Sequence, residues 1–519
     1  MHLPLRPSPP RSRPRRSLSA LLLTPLLAGC FASGGDGGGA SDAEDGTRLR
    51  VALAFPPAEN LSPYGADATI LSRLGVTEGL TALDANGAAA PALAASWRRE
   101  DDRSWLFTLR EASFQDGADV TPAAVVTALT HATKAKPVPA ALAGGTLTVE
   151  TDGDTGVRII TADPDPVLPL RLSSPSLAVL SPKAYDGDGV GDGNGGKDGK
   201  GVVDPVGTAT GPFELTEVAG ATAADLDRFD DYWGGRAQAA GIDARFIADG
   251  TARANALRTG QVDLAEAIPV AQAASLDAAT RRETATTRTT SLLLNTESGV
   301  FKDPALRAAA RAAVDTSALA EGVYEGRADA GAGIYGPAVT WAEGKRVKPA
   351  GRAKAGDPDG ASLTLATYDN RPELPEVAQV LKQQLEKAGF TVKLEVREYS
   401  RLESDALAGR FDAFVGARNS LLDTGDPVSV LAGDFTCDGG YNLALLCDKT
   451  VDRAVAKAQR TADPDKRRDA ALAAEAAILA TDADVPLVHQ RVITGVGART
   501  SGVLLDPYER TLVGAGTRR

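Results

Sequence analysis

Histidine is nearly missing from this sequence: His2, His131 and His489 are all there are in 519 residues. No Gly-x-Ser-x-Gly and no His-Glu-x-x-His motif is present, so a secreted hydrolase would have to recruit His131 or His489 into a triad and is a remote reading. Cysteine is as scarce, with Cys30, Cys437 and Cys447. Two thiols without a nearby histidine do not make a metal centre, and nothing in the chain calls for a cofactor. Aromatics are 5% while alanine and glycine are abundant, which points to a core of small residues. Positive charge is in deficit, with 56 Lys and Arg against 68 Asp and Glu. Five arginines and no acid lie in the first 29 residues, so the remainder is more acidic than the net −12 of the whole. An acidic body excludes nucleic acid as a partner and adhesion of its own surface to anionic lipid. No stretch reaches eighteen apolar residues, the length a membrane-spanning helix needs.

The beginning of the chain reads as an address. Arg11, Arg13, Arg15 and Arg16 precede an apolar run, Leu18–Leu27, that is too short to span a bilayer. The run ends in Leu26-Leu27-Ala28-Gly29-Cys30, which resembles the bacterial lipobox. That resemblance implies a signal peptide over 1–29, cleavage before Cys30 and a lipid on its sulfur. A secretory signal with a chance cysteine is the alternative, and Arg15-Arg16 has poor flanks for a twin-arginine signal. The Gly/Ser/Asp-rich residues 30–46 predict a flexible tether. An exported, oxidising location favours a Cys437–Cys447 disulfide over a metal site, contributing roughly 3 kcal/mol in the chain-entropy model.

A body of this length predicts two or three domains. Leu49–Phe55 alternates as a first strand, followed by a loop through Tyr64. Then come Glu78-Gly79-Leu80, Leu93-Ala94, Ser96-Trp97, Phe107, Leu109-Arg110, Phe114 and Asp116-Gly117. Later follow Gly211-Pro212-Phe213, Asp231-Tyr232-Trp233-Gly234-Gly235 and the run Ala254–Ala265. In order and spacing these resemble the solute-binding proteins of ABC importers, specifically the peptide/nickel-binding family (family 5). The resemblance implies an α/β fold of the periplasmic-binding-protein type II: two α/β lobes with a hinge, plus an extra α+β domain. It places lobe I in 47–78, 205–288 and 488–519, the extra domain in 79–204 and lobe II in 289–487. The residues themselves predict a half-buried strand carrying Trp105, Phe107 and Leu109, and helices capped by Thr121-Pro122 and Asp303-Pro304. They also predict a helix striped by Leu374, Val377, Val380, Leu381 and Leu385, and a strand alternating at Val392, Leu394 and Val396. The Gly/Asp insert 185–203 invites a calcium reading, but Val190 stands where a loop begun at Asp186 needs an oxygen ligand, so a solvated loop is expected.

The ligand is expected at Phe411–Asp448. A buried strand, Phe411–Val415, leads there into the turn Asp423-Thr-Gly-Asp426-Pro427. In peptide-binding members of the family an aspartate near such a turn pairs with the ligand's α-ammonium. Asp423 matches the first carboxylate of the pattern and Asp426 the second. A carboxylate–ammonium pair at 4 Å is worth ~4 kcal/mol at an effective dielectric near 20, before desolvation. The family's tryptophan before the aspartate is absent, and a longer segment, Gly416–Leu422, intervenes. Its Arg418 and Asn419 are candidates for a ligand carboxylate, and Tyr64 and Trp341 for the cleft wall. The bland alternative is a turn serving only the fold. The expected function is a lipid-anchored, extracytoplasmic monomer that captures a small peptide and delivers it to a membrane permease. Nickel or a metal chelate, an opine and an oligosaccharide are the alternative ligands.

Overall fold

The computed structural model describes residues 47–136, 138–142, 145–186 and 203–519. Cys30, the tether and nearly all of the Gly/Asp insert lie outside the described residues. Ten strands follow one another across a single sheet, with Ala328–Ala330 attached to the side. From one edge the order is Thr391–Arg397, Ser362–Tyr368, Ala413–Asn419, Arg281–Leu294, Asp484–Val496, Leu264–Ala265, Leu49–Leu53, Gly241–Phe246, Ala223–Arg228 and Phe213–Ala219. Lobe II is the first part of that order and lobe I the last. The two long central strands, Arg281–Leu294 and Asp484–Val496, run antiparallel through both.

Each lobe has its own core. In lobe I, Leu49, Val51, Phe213 and Ile242 are fully buried and are joined from the far end of the chain by Leu512 and Val513. In lobe II the helix Glu373–Lys387 buries Leu374, Val377, Leu381 and Leu385 against the sheet, with Val380 half-buried at the margin. Gly389, at φ 104°, turns the chain out of that helix, a conformation other residues rarely adopt. A second lobe II core is helical, built by Pro427–Phe435, Lys449–Arg460 and Pro464–Ala480 around Val428, Leu431, Val451 and Leu472. The extra-domain core runs from Leu80 to Val179, a four-stranded antiparallel sheet against the helix Pro122–Lys134. Thr121 caps that helix by accepting from the Ala124 N–H at 3.3 Å, with Pro122 as the first helical residue. Asp303 does the same for Pro304–Ala313, accepting from Ala305 N–H at 2.8 Å.

Several expectations shift. The first strand stops at Leu53. Ser104–Leu109 is covered on both faces, since Leu106 is buried as well as Trp105, Phe107 and Leu109; it is an inner strand of its sheet. Val396 is 40% exposed because its strand is the edge of the large sheet. The buried strand expected at Phe411–Val415 is Ala413–Asn419, held to Asn419 by pairing with Arg288–Leu294, so Arg418 and Asn419 continue the strand and do not form a loop.

In the central pair, partners run in register from Arg281↔Gly495 to Ala285↔Arg491 and resume at Thr289↔His489. Thr286, Thr287 and Arg288 therefore face the single residue Gln490. Extra residues on one strand bend and twist a ladder locally. This irregularity falls where the strands pass from one lobe to the other. Cys437 and Cys447 are bonded, Cα–Cα 4.3 Å, in the connection between two lobe II helices. Among the described residues no helix is long and apolar enough to cross a membrane.

Candidate ligand cleft

Ligands of open α/β sheets sit outside the carboxyl ends of strands, where the following loops diverge. Three such loops concern us: Ala54–Gly65 after Leu49–Leu53 in lobe I, Asp369–Pro372 after Ser362–Tyr368, and Ser420–Asp426 after Ala413–Asn419 in lobe II. The last two strands are parallel neighbours, Leu365↔Ala413 and Ala366↔Phe414, so their loops leave the sheet side by side. In lobe I, Asp67 ties the loop down by accepting from the N–H groups of Ala58, Glu59 and Leu61 at 3.0, 2.7 and 2.9 Å.

Arg371 is the cation of this region. Its guanidinium lies over the Phe55 ring, 5.5 Å from the centroid, so a lobe II residue touches the lobe I loop. Among the described residues its guanidinium has no hydrogen-bond or ion-pair partner, and the residue is half-buried. Burial works against its charge, but Glu509, Tyr368 and Glu373 nearby outweigh it and raise its pKa.

Asp423 is the matching anion. One of its oxygens is 3.3 Å from Arg418, the side chain is 33% exposed, and its other oxygen has no partner among the described residues. Arg418 is held more closely elsewhere: its Nε donates to Asp434 at 2.9 Å, and its guanidinium lies 5.0 Å from the Tyr441 ring centroid. Burial disfavours the Arg418 charge, yet Asp434 and Asp423 hold its pKa up. Burial raises Asp434 to about 6 in spite of Arg418. On this side of lobe II, Tyr368 lies beside Phe414 and meets Tyr399 edge-on at 4.9 Å, and the Tyr399 hydroxyl donates to the Glu403 carboxylate at 2.7 Å and meets the Tyr441 hydroxyl.

The other expected contacts are engaged in the fold. Asp426 is buried with both oxygens on Arg467, at 2.8 and 2.7 Å, and locks the start of one lobe II helix to another. It is withdrawn from the cleft because the helical core closes over it. Asn419 is 4% exposed and fully bonded: Thr287 and Leu421 donate to its oxygen, and its amide donates to Tyr508 O and Glu509. Tyr64 packs on the extra-domain core, and burial pushes its phenol up to about 12. Trp341 packs on the helical core, 5.3 Å from Tyr335. His131 stacks on Tyr185 at 4.3 Å, and His489 is buried beside Thr289 at 3.0 Å. Of the residues singled out in the sequence, Asp423 and Arg418 meet each other, at 3.3 Å. Sequence reasoning missed Arg371, whose signal was an Asp-Asn-Arg-Pro turn between a strand and a helix. It also missed Glu509, for which the sequence held no signal.

Residues 88–442 match the model of the Bacterial extracellular solute-binding proteins, family 5 Middle, which is more than half of the chain. The chain is 26% identical over 475 residues to the glutathione-binding protein GsiB of Salmonella paratyphi A, covering 86% of this chain and 90% of that one. Among solved structures it resembles the dipeptide-binding protein from Pseudoalteromonas sp. SM9913 in complex with Met-Leu, at 18% identity and a TM-score of 0.76, over 91% of this chain and 100% of that one. It also resembles NikA from Staphylococcus aureus in complex with Ni(L-His)2, at 20% identity and a TM-score of 0.75, over 91% and 99%. The two-lobed α/β fold expected from the sequence is the fold of these neighbours. The chain belongs to family 5 of the bacterial extracellular solute-binding proteins, a transport family whose members work outside the cytoplasm.

Proposed function

We propose that this chain captures a small peptide between its lobes and hands it to the membrane permease of an ABC importer. The observation that carries the reading is the pair of opposite charges on adjacent lobe II loops, Arg371 without an ion pair among the described residues and Asp423 half-exposed. A free peptide has one cationic and one anionic end, and aromatic rings beside them suit its apolar parts. Met-Leu, named for one structural neighbour, is a peptide of this kind, and glutathione, named for a relative, is a tripeptide with one ammonium and two carboxylates. Lobe closure follows if the ligand touches both lobes, because it then binds the closed state better and shifts the population. The chain binds and does not turn over its ligand in this reading. Nickel is the weaker ligand, since both described histidines are engaged in packing. Cys30 is the lipid-bearing residue, which holds the body outside the cell membrane; loss of fatty-acid labelling in Cys30→Ser tests it.

Calorimetry on the full-length chain tests the charge pairing. Asp423→Asn is expected to weaken a free-amino dipeptide by roughly 10- to 100-fold, the worth of a charge-assisted hydrogen bond, and to spare its N-acetyl derivative. Arg371→Gln is expected to weaken the free acid similarly and to spare the C-terminal amide. Equal affinities of the unaltered protein for all three forms would remove both pairings, and saturable binding of an opine or an oligosaccharide instead would replace the peptide.

A further inference from the structure

The C-terminal residues belong to lobe I through Leu512 and Val513, and Val513 N–H donates to Arg73 O at 2.9 Å. Four residues before Leu512, Tyr508 is buried in the helical core of lobe II. The short segment between them thus crosses from one lobe to the other. Asp506 shapes it, accepting from the N–H groups of Tyr508, Arg510 and Thr511 at 2.9, 2.8 and 3.0 Å. Glu509 sits at φ 59°, a left-handed conformation that a non-glycine residue keeps only where its surroundings enforce it. Those surroundings are Arg288 at 2.9 Å, from the irregular part of the central strands, and Asn419 at 3.1 Å, from lobe II.

Arg510 is 5% exposed and reaches two parts of the molecule at once. Its Nη2 donates to Leu421 O at 3.0 Å and its Nε to Leu422 O at 2.8 Å, both in the lobe II loop. Its Nη1 donates to the carbonyl and hydroxyl oxygens of Ser173 in the extra domain, at 3.0 and 2.9 Å. No carboxylate among the described residues forms an ion pair with it. Burial lowers its pKa only to about 10, so it remains a cation at neutral pH. Asp506 and Asp423 nearby favour its charge against burial, yet an apolar side chain would fill the space at less cost. What the guanidinium adds is its fork, whose separate N–H directions join several acceptors in one geometry.

We propose that Asp506–Arg510 is a strap across the lobes and that Arg510 is the positioning residue for the loop Leu421–Asp426. The two carbonyls it grips immediately precede Asp423, so the strap fixes where that carboxylate stands relative to the extra domain. Parting of the lobes breaks either the Leu421 and Leu422 contacts or the Ser173 contacts, and so the full set exists in one arrangement only. The strap's bearing on ligand rests on the reading of Asp423 above; the strap itself does not.

Hydrogen–deuterium exchange on the full-length chain without added ligand tests it. In Arg510→Met the amides of Leu421–Asp426 and Leu172–Ser174 are expected to exchange at least tenfold faster. The helices Glu373–Lys387 and Pro122–Lys134 should keep their rates, and Arg510→Lys should restore part of the protection. Unchanged exchange in both segments overturns the strap. A uniform acceleration of all cores in both variants also overturns it, since the residue would then serve the fold and not the loop. If the two segments loosen while Asp423→Asn binds a free-amino dipeptide as well as the unaltered protein does, the strap stands and the ligand reading falls.

Discussion

Glu509 and Asp484 are buried carboxylates sent in opposite directions by their neighbours. Burial alone would raise Glu509, but Arg288, with Arg371 and Arg73 beyond it, brings it down to about 2. A depressed acid contributes stability that is complete above its unfolded pKa and is lost as pH falls toward the folded value. Glu509→Gln is therefore expected to cost about 3 kcal/mol at pH 7 and far less near pH 2, as read by urea unfolding at both. Asp484 has one oxygen without a partner among the described residues, and burial raises it to about 7. Here the sign reverses. The unfolded chain ionises near pH 4 while the folded one keeps its proton, so stability falls as pH rises from there to about 7. Asp484→Asn should raise the unfolding midpoint at pH 7, by on the order of 3 kcal/mol, and leave it nearly unchanged at pH 4. The sequence could not announce either residue, because the partners of Glu509 come from segments 90 to 436 residues away.

The helix starts at Thr121 and Asp303 were legible because a cap is a local matter, decided by a hydroxyl or carboxylate two or three residues before the N–H it serves. The strand Ala413–Asn419 was only half legible. Its apolar end advertised itself, but Arg418 and Asn419 are kept extended by a partner strand that local pattern does not name. Asp426 reads locally as a turn residue and is in fact one half of a lock between helices. Asp426→Ala is expected to cost roughly 3–5 kcal/mol in thermal or urea melts, since it leaves Arg467 buried and unpaired, and replacing both by apolar residues should recover most of that. Were Asp426 a ligand contact instead, binding would fall with the melting temperature unmoved. Reducing the Cys437–Cys447 bond should cost about 3 kcal/mol in the chain-entropy model and affect the Pro427–Phe435 and Lys449–Arg460 helices first, which local exchange rates would report.

Both lobes hang on one sheet, joined through the irregular middle of Arg281–Leu294 and Asp484–Val496. Small-angle scattering should therefore show a radius of gyration that contracts when a binding peptide is added and does not change with its N-acetyl, C-amidated form. A particle of fixed dimensions under both would contradict closure. The two-lobed plan was legible because spaced motifs repeat a known arrangement along most of the chain. Which residues line the gap was not, because that depends on which side chains the core has already claimed. The same plan has a consequence for biogenesis. The sheet of lobe I starts at Leu49, but its core is not closed until Leu512 and Val513 join it. During translation, then, the earliest-made lobe stays unfinished until Val513 has left the ribosome, a state well suited to threading through an export channel before folding begins.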